Sequence, residues 1–277
     1  MTCFPLADLH LHSVFSDGAY TPEEICAIAK SRGLSLLSIT DHDTLNGEAE
    51  KRAAAEKYSL TYLSGWEISA YADGVKMHVL GYGCDKGEAY LQFMEKRIAA
   101  AQARALDSIE KFRSVGVFIT MEEVNSYRAD LTAPIHTMHV ARAAAKKLNL
   151  SEGETYLQYL ARGKVANSSI GRPSPQEAIE VIHASGGLAV LAHVGRITMP
   201  PASLEKAIAK LSHLGLDGIE SVYTTHTDKQ TADFNALAQK YGLLTTGGSD
   251  THIEDETHKI GAPAFIPSPA LLRRLGL

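Results

Sequence analysis

Histidines and carboxylates recur where short apolar runs of this sequence end. His10 and His12 flank a single leucine at the end of the first run, and Asp17 follows them in a Ser-Asp-Gly loop. If the run is a strand, both imidazoles point to one face, because alternate strand residues share a face. Imidazole and carboxylate groups on one face are ligands for divalent ions such as Zn, Mn and Fe.

The same residue types follow further apolar runs along the chain. They are His42, Glu67, His78, His193, Asp250 and His252. Each alone has an ordinary structural explanation, such as a helix cap, a core histidine or a surface carboxylate. Their joint recurrence favours a metal site. Six histidines and three carboxylates are too many for one ion, so we expect two to three divalent ions.

The apolar runs are predicted strands that alternate with helical patterns. The strands are Leu6–His12, Leu34–Thr40, Thr61–Trp66, Met77–Tyr82, Leu188–His193, Gly218–Val222 and Leu243–Thr246, and the clearest helices are Pro22–Ser31 and Pro175–Ala184. This alternation predicts a parallel β/α architecture. In parallel β/α barrels the residues that do chemistry lie at the C-terminal ends of the strands. His78 lies early in its strand, so it needs a longer preceding loop or an antiparallel strand.

A helical segment interrupts this rhythm. Within it, Ile98, Ala101, Ala105, Ile109 and Phe112 have the spacing of one helix face. Residues Asp130–His136 break the pattern, and Met138–Leu148 and Glu152–Leu160 are predicted helices. We therefore predict a barrel formed by residues 1–89 and 168–277, with residues 90–167 inserted as a helical lid or substrate domain.

Composition narrows the class of partner. The 277 residues carry 27 basic and 32 acidic side chains, a formal net charge of −5. Without a dense basic block we expect no large nucleic acid partner, whereas a small phosphorylated substrate is compatible. No apolar run reaches the roughly 20 residues of a membrane helix. The first residues do not resemble a signal peptide. Cys3, Cys26 and Cys84 are interpreted as free thiols, so we expect a cytoplasmic protein.

Six runs resemble the motifs of one known family in the family's order. These runs are ADLHLHSVFSDG, LLSITDHDT, GWEIS, KMHVLGY, GGLAVLAH and TTGGSDTH, and they resemble the PHP (polymerase and histidinol phosphatase) family. The resemblance covers residues 6–83 and about 174–262. It implies an α/β fold, a distorted seven-stranded, TIM-like β/α barrel with a metal cluster at its mouth. Small stand-alone members with a helical insertion are most similar.

The resemblance also implies how the ligands divide among three metal positions. His10, His12, Glu67 and Asp250 would hold the first ion, Glu67, His78 and His193 the second, and Asp17, His42 and His252 the third. Manganese, zinc and iron all suit this trinuclear arrangement. Two departures lie near the expected substrate. Ile135-His136-Thr137-Met138-His139 replaces a Gly-Arg-Pro-His-like run, and Val194 replaces a proline.

The expected chemistry is phosphate ester hydrolysis. Divalent ions offset the charge of the phosphate and lower the pKa of a bound water from near 16 towards about 7. We expect a metal-bridging hydroxide to attack phosphorus, with Glu67 and Asp250 catalytic through the metals. His226 follows strand Gly218–Val222 and is the candidate general acid. An ordinary surface loop histidine explains it equally well.

Substrate phosphates beyond the metals need cationic or polar side chains. The candidates are Arg196, then Arg172 and Lys164, and then His139 and Arg142 from the insertion. We expect the substrate to be a small phosphorylated ribose or nucleotide. One such substrate is a cyclic phosphate diester such as phosphoribosyl 1,2-cyclic phosphate, whose hydrolysis would be followed by that of the resulting monoester. The alternatives are a nucleotide 3′,5′-bisphosphate 3′-phosphatase, a histidinol-phosphate phosphatase, a non-catalytic metal-binding PHP scaffold, and an amide or lactone hydrolase.

Overall fold

The computed structural model describes residues 5–128 and 130–277, and Cys3 lies outside these ranges. Their strands are β1 Ala7–Leu11, β2 Leu36–Ile39, β3 Thr61–Tyr62, β4 Gly65–Ala72, β5 Val75–Tyr82, β6 Leu188–Leu191, β7 Gly218–Tyr223 and β8 Leu244–Gly248. The α-helices are α1 Pro22–Ser31, α2 Glu48–Lys57, α3 Glu88–Ser114, α4 Met121–Asn125, α5 Thr137–Leu148, α6 Glu152–Thr155, α7 Pro175–Ala184, α8 Pro201–His213, α9 Asp228–Tyr241 and α10 Pro269–Arg274. A π-helical turn spans Tyr156–Leu160, and a 3₁₀ turn spans Val194–Arg196.

The chain divides into two compact units. The first contains the described residues up to Tyr90 together with Pro173–Leu277, and the second contains the described residues of Leu91–Arg172. Helices α1 and α7 have the predicted bounds. Each begins with a capping box and a proline in its first turn, which satisfies backbone N–H groups that lack a partner within the helix.

The strands of the first unit form two sheets. One has the order β1-β2-β3 and is parallel, and the other has the order β4-β5-β6-β7-β8. In the second sheet, β5 runs antiparallel to both β4 and β6, whereas β6, β7 and β8 are parallel. The mixed α/β fold is therefore confirmed, but the described strands make two sheets rather than one closed ring.

Two single-residue parallel bridges connect the sheets, Leu11 with Thr251 and His42 with Glu67. Between the sheets lies an apolar core built from both of them and from α10. Its buried members are Ala7, Leu9, Leu36, Leu63, Leu80, Tyr82, Val190, Ala192, Phe265 and Leu271. Because this core contains residues of both sheets, it packs the sheets together.

The predicted strand Thr61–Trp66 is wrong as a single element. The chain pairs with β2 only over Thr61–Tyr62, then begins a new strand at Gly65 that pairs with β5 through Ala72. Glu67 therefore lies inside β4 rather than after a strand. The left-handed residues Asp73 and Gly74 form the turn between β4 and β5, as expected for a tight hairpin. This antiparallel hairpin is one of the two arrangements that His78 required.

Helices and turns make up the described residues of the second unit. Its core includes four of the five residues predicted to share a helix face, Ala101, Ala105, Ile109 and Phe112, whereas Ile98 is half-buried. The predicted helix Glu152–Leu160 is α6 followed by the π-helical turn. No helix in the described ranges is both long and apolar enough to cross a membrane.

A buried carboxylate, Asp41, joins the end of β2 to α2 through an ion pair and to the loop after β1 through hydrogen bonds. Lys51 Nζ lies 2.6 Å from Asp41 Oδ2, and both side chains are fully buried. Asp41 also accepts hydrogen bonds from the Ser13 amide and hydroxyl, at 2.8 Å each, and from the Ser16 hydroxyl at 2.7 Å. Ser13 and Ser16 lie between the predicted metal ligands His12 and Asp17, so these hydrogen bonds help to fix the positions of both ligands.

Replacing Lys51 with methionine should destabilise the fold by about 3–5 kcal/mol, because it leaves the Asp41 carboxylate buried without its cation. Urea unfolding followed by circular dichroism measures this. The matched control is Lys57→Met on the same helix, which breaks an exposed pair with Glu23 and should change stability little. Equal effects of the two substitutions would contradict the role assigned to Lys51.

Candidate metal centre

The structure brings all nine predicted ligand residues together in the first unit. Ligand atoms within 4.8 Å of one another define three groups. The groups are His12, Asp17, His42 and His252; His10, His12, Glu67 and Asp250; and His42, Glu67 and His78. His193 lies beside the third group, with Nε2 at 3.1 Å from His78 Nδ1. His12, His42 and Glu67 each belong to two groups, so the three groups form one continuous cluster.

Glu67 lies at the centre of the cluster, and both of its oxygens face imidazoles. Oε1 is 2.6 Å from His78 Nδ1 and 3.0 Å from His193 Nε2. Oε2 is 2.9 Å from His42 Nδ1, 3.3 Å from His12 Nε2 and 3.4 Å from His10 Nε2. A carboxylate placed in this way can bind two cations, one through each oxygen.

Two of the ligand residues have an unusual backbone. His193 and Asp250 have φ values of 30° and 54°. These values lie in the left-handed region, which residues other than glycine seldom adopt. Hydrogen bonds hold both of them: His193 N–H donates to Glu220 Oε2 at 2.6 Å, and Asp250 N–H donates to the His10 carbonyl at 2.8 Å. Strained residues of this kind are common at functional sites.

Burial and charge act against each other on the histidines. Burial alone would lower the pKa of His10, but the carboxylates of Glu220, Glu67 and Asp250 raise it well above the usual value. At His12, burial likewise lowers the pKa, but the carboxylates of Asp250 and Glu67 raise it to about 10. An imidazole must be neutral to bind a metal ion. Protons and metal ions therefore compete for these two residues, and metal binding releases protons.

The pKa values of the carboxylates in the cluster shift downwards. Burial tends to raise the pKa of Glu67, but the surrounding imidazoles, His78 first among them, bring it well below the usual value. Asp250 and Asp17 follow the same pattern: burial opposes the shift, and neighbouring histidines lower both pKa values strongly. All three carboxylates are therefore ionised near neutral pH and attract cations.

Divalent ions fit this arrangement. Among the described residues, several buried ligand atoms have no hydrogen-bond partner of suitable geometry, namely His10 Nε2, both ring nitrogens of His12, Asp17 Oδ1, Glu67 Oε2 and Asp250 Oδ1. Buried polar atoms without partners are costly and uncommon. Bound cations would satisfy them, and the nitrogen and oxygen donor set suits divalent transition metals.

Arg196 and His226 are the other predicted site residues in this unit. Arg196 Nη1 donates to Asp250 Oδ2 at 3.1 Å and to the Tyr223 hydroxyl at 2.9 Å, and about half of its side chain is exposed. His226 Nε2 accepts the Gly195 N–H at 2.9 Å, and His226 Nδ1 lies 2.9 Å from the Ser221 carbonyl. Both ring nitrogens of His226 thus contact backbone, and a proton-donor role requires one of these contacts to open.

The remaining predicted substrate residues lie in the second unit. Arg172 donates to the Ser168 carbonyl from Nε at 3.0 Å and from Nη2 at 2.8 Å, and Arg142 pairs with Glu152 at 2.9 Å. Buried His139 accepts the His136 N–H at 3.2 Å, and Lys164 is exposed. Their role in substrate binding stays a prediction.

Three residues near the ligands were not predicted from the sequence. Glu220 is a charged residue within a predicted apolar strand, and that contrast was a usable signal. Lys76 lies two residues before His78 on β5, so alternation places it on the same face of that strand. Lys51 gave no signal, because a lysine in a polar helix normally faces solvent.

A comparison with protein families matches a PHP domain over residues 8–214. The chain therefore belongs to the PHP family, and it is a metal-dependent phosphoesterase, a hydrolase.

Three relatives cover most of the chain. One is a 3′,5′-nucleoside bisphosphate phosphatase of Chromobacterium violaceum, 32% identical over 90% of this chain and 88% of its own. Another is a phosphoribosyl 1,2-cyclic phosphate 1,2-diphosphodiesterase of Eggerthella lenta, 30% identical over 89% and 94%. The third is a 5′-3′ exoribonuclease of Haemophilus influenzae, 30% identical over 88% and 89%.

Among solved structures, an amidohydrolase from Chromobacterium violaceum with bound sulfate and no metal is similar over most of both chains. It has 29% sequence identity and a TM-score of 0.83, and the match covers 98% of this chain and 95% of that one. The fold described above is therefore shared with that protein.

Replacing Glu67 with alanine should remove more bound metal than replacing His252 with alanine. Glu67 belongs to two ligand groups, whereas His252 belongs to one. Elemental analysis after metal loading and dialysis measures the ratio of metal to protein, and thermal unfolding shows whether each variant is folded. Equal metal losses in two folded variants would contradict the central position given to Glu67.

Proposed function

We propose that the protein hydrolyses phosphate esters of a small phosphorylated ribose or nucleotide that carries a second phosphate, including cyclic phosphate diesters. One observation carries the proposal: the Arg196 guanidinium contacts Asp250 at the edge of a cluster of three ligand groups, two of which contain Glu67. A metal cluster can act on one phosphate while an adjacent arginine binds another. The bisphosphate and cyclic phosphate relatives support this substrate class.

The proposal includes two to three ions of the Mn, Zn or Fe type. His10, His12, Glu67 and Asp250 would hold one ion, Glu67 with His78 and His193 a second, and Asp17, His42 and His252 a third. When bound, such ions offset the charge of the phosphate and lower the pKa of a coordinated water. The contribution of Glu67 is to keep the ligand groups adjacent, because its two oxygens face different sets of imidazoles.

Arg196 is the proposed anchor for the non-reacting phosphate. Both of its described contacts use Nη1, so Nε and Nη2 remain available for a phosphate oxygen. The Tyr223 hydroxyl also donates to Asp250 Oδ2 at 2.9 Å, which fixes the carboxylate that Arg196 contacts. Lys76, on the same face of β5 as His78, is a second candidate cation for the substrate.

We also propose the barrel and the helical insertion that the sequence predicts. A distorted seven-stranded barrel is supported by the bridges of Leu11 with Thr251 and of His42 with Glu67. The helical segment, predicted as an insertion at residues 90–167, would serve as a lid or substrate domain that contributes Lys164, His139 and Arg142, and Arg172 would join them from the end of the same compact unit. His226 would act as general acid once one of its backbone contacts opens.

A substrate panel with metal-loaded enzyme tests the proposal. It contains a nucleoside 3′,5′-bisphosphate, a ribose 1,2-cyclic phosphate, a nucleoside monophosphate and a short 5′-phosphorylated RNA, because one relative is an exoribonuclease. We expect the first two to be hydrolysed with the highest kcat/KM and chelation to abolish activity. Preference for the RNA would replace the small-substrate proposal, and activity that survives complete metal removal would overturn it.

Replacing Arg196 with alanine should lower kcat/KM for the bisphosphate by roughly 10–100-fold, because a hydrogen bond between charged groups contributes about 1.5–3 kcal/mol. The monophosphate, which lacks the anchored group, should lose much less. Lys229→Ala is the control, since Lys229 is an exposed cation on α9 that pairs with Asp233. If Arg196→Ala retains its metal and both substrates lose activity equally, Arg196 does not anchor the second phosphate.

A further inference from the structure

Glu220 is a fully buried carboxylate on β7 that contacts two of the nine ligand residues. Its Oε1 lies 3.0 Å from His10 Nδ1, and its Oε2 lies 3.2 Å from the same nitrogen. Oε2 also accepts the backbone N–H of His193 at 2.6 Å. One side chain thus touches a ring from β1 and the backbone that follows β6.

The contact with His10 determines which ring nitrogen can bind a cation. An ionised carboxylate can only accept hydrogen bonds, and a neutral imidazole has one N–H group. If Nδ1 donates to Glu220, the lone pair is on Nε2. That atom lies 3.4 Å from both Glu67 Oε2 and Asp250 Oδ1, and it has no hydrogen-bond partner among the described residues. The nitrogen that faces the other ligands is therefore the one left able to bind metal.

The contact with His193 acts on the backbone. His193 has φ 30° and ψ 59°, a conformation that costs energy for a residue with a side chain. Its N–H bond to Glu220 stabilises this conformation, which carries His193 Nε2 to 3.0 Å from Glu67. Without that bond the turn could relax and withdraw the imidazole from the cluster.

We propose that Glu220 is a positioning residue that selects the metal-binding tautomer of His10 and fixes the backbone of His193. The role needs two acceptor oxygens in a side chain of this length. Glutamine is nearly isosteric but has one acceptor and one donor. Its NH₂ group must face either the His193 N–H or His10 Nδ1, and the second choice moves the His10 proton to Nε2. The proposal rests on the metal-dependent function above, but its tests do not require turnover.

The first test compares the metal affinity of Glu220→Gln with that of the wild type, by competition with a chromophoric chelator for Zn²⁺. We expect about 10–100-fold weaker binding, the usual loss when a residue that orients a metal ligand is changed. Glu220→Asp keeps two acceptors but shortens the reach, and it should also bind more weakly. Wild-type affinity in a folded Glu220→Gln protein would overturn the proposal.

Asp8→Asn is the matched control. Asp8 is also a buried carboxylate near His10, and it accepts the backbone N–H groups of His10, Ser249 and Gly261. No described hydrogen bond or ion pair joins it to an imidazole. Its loss should lower thermal stability without moving a ring proton. A change of the His10 tautomer in Asp8→Asn as large as that in Glu220→Gln would contradict a specific role for Glu220.

A second measurement covers the case in which Glu220→Gln does not fold. In wild-type protein loaded with Zn²⁺ and labelled with ¹⁵N-histidine, the His10 ring should be protonated at Nδ1 and bind metal through Nε2. A proton on Nε2 would overturn the proposal whatever the variants do. If the tautomer is as expected and the substrate panel shows no hydrolysis, the proposed function fails while the role of Glu220 stands.

Discussion

The carboxylate of Glu67 is the group on which the rest of the site depends. It is fully buried and lies within 3.4 Å of nitrogens from five histidines. A buried anion is costly unless positive charge or hydrogen bonds compensate it. The imidazoles compensate Glu67 when they carry protons, and metal ions would do so when the imidazoles are neutral. The need to compensate the charge of Glu67 therefore keeps histidines from several strands close together.

Behind the ligands lies a second layer of buried acceptors. Asp41, paired with Lys51, receives hydrogen bonds from the loop that carries Asp17. Asp8 joins the backbone of β1 to residues that follow β8, and Glu220 joins His10 to His193. Each of these carboxylates connects segments that are distant in sequence. The positions of the ligands are thus fixed by charges that do not themselves belong to the metal groups.

The sequence allowed the ligands to be predicted because their residue types recur at the ends of apolar runs. It did not reveal the break between β3 and β4, since periodicity does not distinguish one strand from two consecutive ones, and it left the antiparallel direction of β5 as one of two possibilities for His78. The parallel alternation therefore held for β1, β2, β6, β7 and β8 but failed for β5.

Side-chain partners were harder to predict than elements. The burial of Lys51 beside Asp41 and the contacts of His226 with Ser221 and Gly195 depend on how separate elements pack together. Local pattern carries no information on such pairings. Glu220 was the exception, because a charge in an apolar strand already requires a partner, although the sequence did not say which one.

The order of the ligands along the chain has a consequence for biosynthesis. Six of them, from His10 to His78, precede the helical unit, and three, from His193 to His252, follow it. A ribosome completes the first six ligands more than a hundred residues before the last three emerge. During that interval β1 lacks the neighbour that Thr251 later provides, and β5 lacks β6. The nascent chain therefore carries a partial set of metal ligands together with open strand edges, the condition in which a polypeptide is most prone to aggregate.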